Sequence, residues 1–295
     1  MGNKVWLSNR GCAVDPQDAT ISVFDRGFLY GDSVYETVRT LRGVPVELGL
    51  HLARLHRSAA GIAMKVPFSD AEVRLAIDTT LKAANNIDSR IRIVVTRGTG
   101  PVALDIRRSE RPLLVVYVES LSLPTAAAYR NGISAVMVDI RQGDAAGLKT
   151  GNYLTNILAL TQAIQRRGDD AIMCNAQGAV AEGATSNLFM VEIGEGETPT
   201  VRTPSLATGI LEGITRRAVI ELASELGFVV TETTISPEEL RGADEIFLTS
   251  SIRGVMPVSR LDGAVVGRGM AGDCTTRIRL AYEQHLRENV GASNA

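Results

Sequence analysis

Lys149 stands in the stretch Ala146-Gly-Leu-Lys-Thr-Gly-Asn-Tyr-Leu-Thr-Asn-Ile-Leu-Ala159, just ahead of a segment with amphipathic helical spacing. Further on, Ala179-Val-Ala-Glu-Gly-Ala-Thr-Ser-Asn-Leu-Phe189 sets one acid, Glu182, among small residues. A lysine amine can form a Schiff base with an aldehyde cofactor. A carboxylate can keep a pyridine nitrogen protonated, so that the ring accepts electrons. A lysine and an acid in this order are what pyridoxal 5'-phosphate chemistry needs. Taken alone, either segment reads more simply as a surface lysine or a Glu-Gly turn. A third segment, Leu211-Glu-Gly-Ile-Thr-Arg-Arg217, accompanies them; Gly213-Ile-Thr-Arg216 opens a helix, which by chemistry alone reads as a plain helix start. The free N–H groups of a helix start form an anion site. One competing motif fails. Gly143-Asp-Ala-Ala-Gly-Leu-Lys-Thr150 resembles a phosphate loop, but its inter-glycine spacing is short by one and Leu148 separates glycine from lysine.

The rest of the chain must position these groups. It has 295 residues, 45% hydrophobic, with a formal net charge of -2. That length suits two domains or one large one. The basic residues are dispersed, so no nucleic-acid or membrane footprint appears. No apolar run reaches transmembrane length, and the amino terminus lacks a signal-peptide core. Gly2 is not followed by the Ser or Thr that myristoylation wants. Cys12, Cys174 and Cys274 are far apart and read as reduced thiols of a cytoplasmic protein without zinc spacing. With His51, His56 and His285 as the whole histidine set, neither a His-based metal site nor a Ser-His-Asp triad is expected.

Short strands are expected at Val5–Leu7 and Ile21–Phe24. Val34–Leu41 and Val44–Glu47 flank Arg42-Gly43 as a hairpin. Leu52, Leu55, Ala59 and Ile62 carry helical spacing over 50–64. Ser69-Asp-Ala-Glu72 is a capping box opening a second helix. Arg90–Arg97 and Leu113–Glu119 read as strands. The expected organisation is an α+β N-terminal domain at 1–120, a linker at 121–130 and a C-terminal cofactor-binding domain at 131–295. In the last, strands are expected near 134–138, 171–174, 188–191 and 245–249, with helices at 214–226 and 271–286.

The segments above, with Val23-Phe-Asp-Arg-Gly-Phe-Leu-Tyr-Gly-Asp32 and Thr249-Ser-Ser-Ile-Arg-Gly-Val-Met-Pro-Val258, resemble the class IV (fold type IV) aminotransferases over nearly the whole chain. That family includes branched-chain aminotransferases, D-amino acid aminotransferases and aminodeoxychorismate lyases. The resemblance implies a two-domain α+β fold, with a smaller N-terminal α/β domain and a larger C-terminal pseudo-barrel domain. It also implies a homodimer and pyridoxal 5'-phosphate on a Lys149 Schiff base. Lys149 would then also carry the substrate proton, and Glu182 would face the pyridine nitrogen. By the same resemblance Arg54, in His51-Leu-Ala-Arg-Leu-His-Arg-Ser58, binds phosphate, for which a guanidinium is suited. The amides of Ile214 and Thr215 and the hydroxyl of Ser251 would share that phosphate. Leu211 would pack on the ring, and Tyr153 would bond its phenolic oxygen.

The resemblance places Tyr30, Tyr35, Arg39, Arg92, Ile252 and Arg253 around the substrate. Strand alternation puts Tyr35, Thr37 and Arg39 on one face. Arg90-Ile-Arg92 aligns with a Tyr-x-Arg pair that handles the α-carboxylate in branched-chain enzymes, but Arg90 replaces the tyrosine. Arg92, Tyr153 and Thr96-Arg-Gly-Thr-Gly-Pro-Val-Ala-Leu-Asp105 look like the branched-chain type, and the Arg-x-His trap of D-amino acid enzymes is absent from that loop. Thr37 stands where the lyases place a functional hydroxyl, and Arg253 is atypical of a branched-chain enzyme. The expected activity is transamination between an amino acid, branched-chain or otherwise apolar, and a 2-oxo acid. A pyruvate-releasing lyase, a D-amino acid or (R)-amine transaminase, and a non-catalytic protein that kept the fold stay open.

Overall fold

A computed structural model describes residues 2–141 and 147–292 of the chain. Gly143–Ala146, part of the discarded phosphate-loop reading, lie outside the described residues. The chain divides into two compact units. One holds the described residues up to Ser122, then Leu148–Tyr153 and the described residues from Leu286 on; the other holds the described residues within 123–147 and Leu154–His285. The Lys149 segment therefore belongs with the N-terminal unit, although residues of the second unit come before it in the chain.

The first unit contains β1 (Lys4–Leu7), β2 (Cys12–Val14), α1 (Arg26–Tyr30), β3 (Ser33–Leu41), β4 (Val44–Pro45), α2 (Leu48–Gly61), α3 (Asp70–Ala84), β5 (Ser89–Thr96) and β6 (Leu113–Ser120). The strands form one antiparallel sheet in the order β2-β1-β6-β5-β3-β4. Strand alternation sorts side chains onto two faces. Val34, Val38, Ile91, Ile93, Val116 and Val118 bury one face in a core shared with Leu52, Leu55 and Ile77 of α2 and α3. The capping box of α3 forms as expected: Glu72 N–H donates to Ser69 Oγ, and Ser69 N–H donates to Glu72 Oε2 at 2.7 Å.

Two expected elements differ. Ile21–Phe24 is not a strand, because its neighbourhood spends its donors on a turn. Phe24 N–H donates to Ser22 Oγ, Asp25 N–H donates to Ser22 O, and the Asp25 carboxylate caps α1 through Gly27 N–H. The stretch expected as linker carries a short helix, α4 (Ala126–Asn131), capped by Thr125 and rich in alanine, the best helix former.

The second unit contains α4, β7 (Ile133–Arg141), α5 (Leu154–Gln165), β8 (Asp170–Cys174), β9 (Val180–Gly183), β10 (Asn187–Glu192), β11 (Thr200–Pro204), α6 (Ile214–Glu225), β12 (Val229–Thr233), α7 (Pro237–Arg241), β13 (Glu245–Ser250), β14 (Gly254–Leu261) and β15 (Ala264–Val265). The last helix, α8 (Asp273–Ala292), begins here. The sheet runs β12-β11-β10-β13-β14-β7-β8-β9, and β9 also pairs with β10. That extra pairing closes β10, β13, β14, β7, β8 and β9 into a ring. Ala135, Ile172, Leu188, Met190, Leu248 and Val258 form one core cluster, while Val136, Val138, Ala171 and Met173 pack with Ala159 and Ala163 of α5. The closure is the single residue pair Glu182–Asn187.

Candidate functional site

Lys149 is held by its backbone. Tyr35 N–H donates to Lys149 O at 3.0 Å, Lys149 N–H donates to Ser58 Oγ at 3.1 Å, and Gly151 N–H donates to Ser33 O at 2.8 Å. Thr150 bridges Val34, so this segment runs antiparallel along β3. The side chain projects towards two phenols. Nζ lies 4.6 Å from the Tyr35 ring centroid, 5.9 Å from that of Tyr153 and 3.5 Å from the Tyr153 hydroxyl. The two rings meet edge to face at 5.3 Å. Burial, reinforced by Tyr153, pushes the Tyr35 hydroxyl well above the usual phenol range, so it stays neutral.

The face of β3 that carries Tyr35 also carries Thr37 and Arg39. Thr37 lies opposite Arg92 of β5, whose guanidinium sits 3.9 Å from the Tyr35 ring centroid. Arg39 Nε is buried without a hydrogen-bond partner among the described residues. Arg90, opposite Arg39, is an exposed residue paired with Glu119. Tyr30 ends α1, with the Arg26 guanidinium 5.1 Å from its ring centroid. The structure thus brings Lys149, Tyr153, Tyr35, Thr37 and Arg92 into one neighbourhood.

Glu36 lies between Tyr35 and Thr37 in sequence but on the opposite, core face, and it is fully buried. Arg54 of α2 donates to it through Nε at 2.7 Å and Nη2 at 2.6 Å, and His51 Nδ1 lies 2.7 Å from its Oε2. Sequence reasoning missed Glu36. The signal was an acid in register with Val34 and Val38, a position that requires charged partners. Burial opposes ionisation, but the arginine and histidine outweigh it and hold the carboxyl at about 2, from a usual 4.5. Burial also lowers the His51 imidazole below 6.5, so it is neutral. A carboxyl depressed on folding stabilises fully above its unfolded value, and that stability is lost as pH falls through the folded value. The melting temperature is expected to drop between about pH 4.5 and 2, with on the order of 3 kcal/mol at stake. His51 erodes stability in the same direction, starting below 6.5. Thermal melts of Glu36→Gln should start lower and flatten over this window. Equal acid limbs in the variant and the parent would contradict this assignment.

In the second unit, Glu182 Oε2 accepts from Asn187 Nδ2 and from Leu211 N–H, each at 3.1 Å. Asn187 Nδ2 also donates to Leu211 O at 2.8 Å, tying β9, β10 and the approach to α6 together. Asn187 is a second residue that sequence reasoning missed. Gly213 is required by close approach, since a Cβ there would lie 1.9 Å from Asn187 Oδ1. It is the N-cap of α6 and supplies no side-chain cap. The helix start therefore offers amides of positive dipole character to an anion. Thr215, in the first turn, is buried with its Oγ 3.2 Å from the Tyr282 hydroxyl. The buried hydroxyls of Ser186 and Thr249 have no partner among the described residues. Ser251, Ile252 and Arg253 form the β13–β14 turn, half-buried. Arg253, which the resemblance places around the substrate, is engaged by Asp170 at 2.5 Å.

Each unit by itself carries groups whose chemistry fits pyridoxal 5'-phosphate: in the first an amine that can bond an aldehyde, in the second a carboxylate that can face a pyridine nitrogen and a helix start that can face a phosphate. Fold and residue chemistry together define a fold type IV, pyridoxal-phosphate-dependent enzyme.

The family model for amino-transferase class IV matches residues 33–261, and the chain belongs to this family. A Methanocaldococcus jannaschii protein with a provisional name as a branched-chain-amino-acid aminotransferase is 35% identical over 95% of each chain. A D-alanine aminotransferase of Bacillus licheniformis is 30% identical over 94% of this chain and 95% of its own. The crystal structure of a branched-chain aminotransferase from Thermoproteus uzoniensis with norvaline superposes with a TM-score of 0.87, at 32% identity, covering 98% of this chain and 96% of that one.

Proposed function

We propose that this aminotransferase prefers L-amino acids with branched or other apolar side chains, and that it works as a cytoplasmic homodimer. The observation that carries the preference is Arg92, an exposed side chain unpaired with any acid among the described residues and seated 3.9 Å from the centroid of the Tyr35 ring that Lys149 Nζ also approaches. A guanidinium over an aromatic face suits a carboxylate next to an apolar side chain. The 35% identical relative and the norvaline complex named above support this reading.

Pyridoxal phosphate, when bound, supplies the electron-accepting ring that stabilises negative charge at the substrate α-carbon. Lys149 Nζ takes the α-proton and returns it, held to its position by Ser58 and Tyr35 through the backbone. Tyr153 and neutral Tyr35 border that amine and favour its ammonium form after proton uptake. Glu182 keeps the pyridine nitrogen protonated, its orientation set by Asn187 and the Leu211 amide. The Ile214 and Thr215 amides, Ser251 and Arg54 would hold the phosphate, and Leu211 would border the ring. Glu36 fixes the Arg54 guanidinium by a two-point contact. Tyr30, Thr37, Arg39 and Ile252 complete the substrate surroundings.

Half-reactions followed at the cofactor absorbance test the preference with L-leucine, D-alanine and (R)-1-phenylethylamine, alongside pyruvate release from aminodeoxychorismate. L-Leucine is expected to lead by roughly tenfold or more in kcat/KM, with no pyruvate formed. A lead by D-alanine, or pyruvate release at a comparable rate, would replace this reading.

A further inference from the structure

The β13–β14 turn is a three-residue connection, Ser251-Ile252-Arg253, between the paired residues Ser250 and Gly254. Four groups hold it. Arg253 N–H donates to Ser250 Oγ at 3.3 Å, closing the turn on itself. Tyr129, on α4, donates its hydroxyl to Arg253 O at 2.7 Å. Asp170, at the start of β8, takes the Arg253 guanidinium at 2.5 Å. Gly254 leaves the turn at φ +63°, and a Cβ there would sit 3.3 Å from the Tyr282 ring. Asp170 is buried, and its other oxygen accepts from Ala171 N–H at 2.9 Å, so the anchor is itself fixed. These contacts join residues 83 and 124 positions apart in the chain.

We propose that Arg253 is a positioning residue rather than a substrate ligand. With Asp170 and Tyr129 it clamps the turn that presents Ser251 and Ile252. Turning the guanidinium from Asp170 to a substrate carboxylate would leave Asp170 buried and unpaired. This rests on the reading that Ser251 and Ile252 face cofactor and substrate.

The clamp predicts that substitutions in three separate elements share one effect. Arg253→Met, Asp170→Asn and Tyr129→Phe are each expected to speed amide hydrogen exchange in the peptide spanning 250–254 about fivefold or more, in protein freed of cofactor. The dissociation constant for added pyridoxal phosphate should rise in parallel. L-Leucine and (R)-1-phenylethylamine half-reactions should slow alike, and Arg253→Lys should recover part of the loss. A substrate ligand would behave otherwise. Arg253→Met would then raise KM for L-leucine alone, with exchange unchanged, and that result would overturn the proposal. So would unchanged exchange in Tyr129→Phe, a variant that loses one hydroxyl, keeps the ring, and reads the clamp even if Asp170→Asn fails to fold. The exchange arm reports on the turn whether or not the cofactor assignment holds. Faster exchange with an unchanged pyridoxal phosphate constant would keep the clamp as a structural device but overturn its role at the site.

Discussion

Lys149→Ala is expected to bind pyridoxal phosphate, without a covalent link, and to lose at least about 10³-fold of its turnover. The fold should survive, because Lys149 is anchored through its own N–H and C=O to Ser58 and Tyr35, and alanine keeps both bonds. What goes is the amine bordered by Tyr35 and Tyr153. Lys149→Arg should be as inactive, since a guanidinium keeps the charge but cannot lose a proton to act as a base. Borohydride treatment of the parent followed by peptide mapping gives an unambiguous readout. The other lysines are Lys4, Lys65 and Lys82; Lys4 is ion-paired with Asp15, and Lys65 and Lys82 are surface residues. Cofactor mass recovered on any of those three, or none on the Lys149 peptide, would falsify the assignment.

Glu182→Gln should keep its fold and its bound cofactor yet lose roughly 10²- to 10³-fold in single-turnover transamination. Glutamine can still accept from Asn187 Nδ2 and the Leu211 amide through its carbonyl oxygen, so the link across β9 and β10 persists. An amide carries no negative charge to hold a proton on the pyridine nitrogen, and the electron-accepting power of the ring falls with it. Stopped-flow absorbance with L-leucine measures this directly. A rate within a few-fold of the parent would move the role to another residue.

Much of the first unit was legible because its information is local. The Val34–Leu41 and Arg90–Arg97 runs became β3 and β5, and the Ser69–Glu72 box opened α3. The same alternation that put Tyr35, Thr37 and Arg39 on one face put Glu36 on the other. Its partners on α2 were less visible, because only packing brings His51 and Arg54 to it. Ile21–Phe24 misled for a related reason: apolar residues promise a strand only when a neighbouring strand takes their donors, and here a turn takes them.

The sequence by itself determined the chemical groups and their order: a lysine ahead of a helix, an acid among small residues, a glycine-led helix start. These rest on residue type and short spacing, which backbone geometry converts directly into local structure. Only the tertiary structure decided what those groups touch. It seated Lys149 along β3 beside two phenols, tied Glu182 to Asn187 at the one pair that closes the ring of strands, and gave Arg253 a buried acid 83 residues away. Such partners meet because burying a charge far from water is costly unless an opposite charge accompanies it. Which one does so is settled by how strands and helices pack, not by distance along the chain.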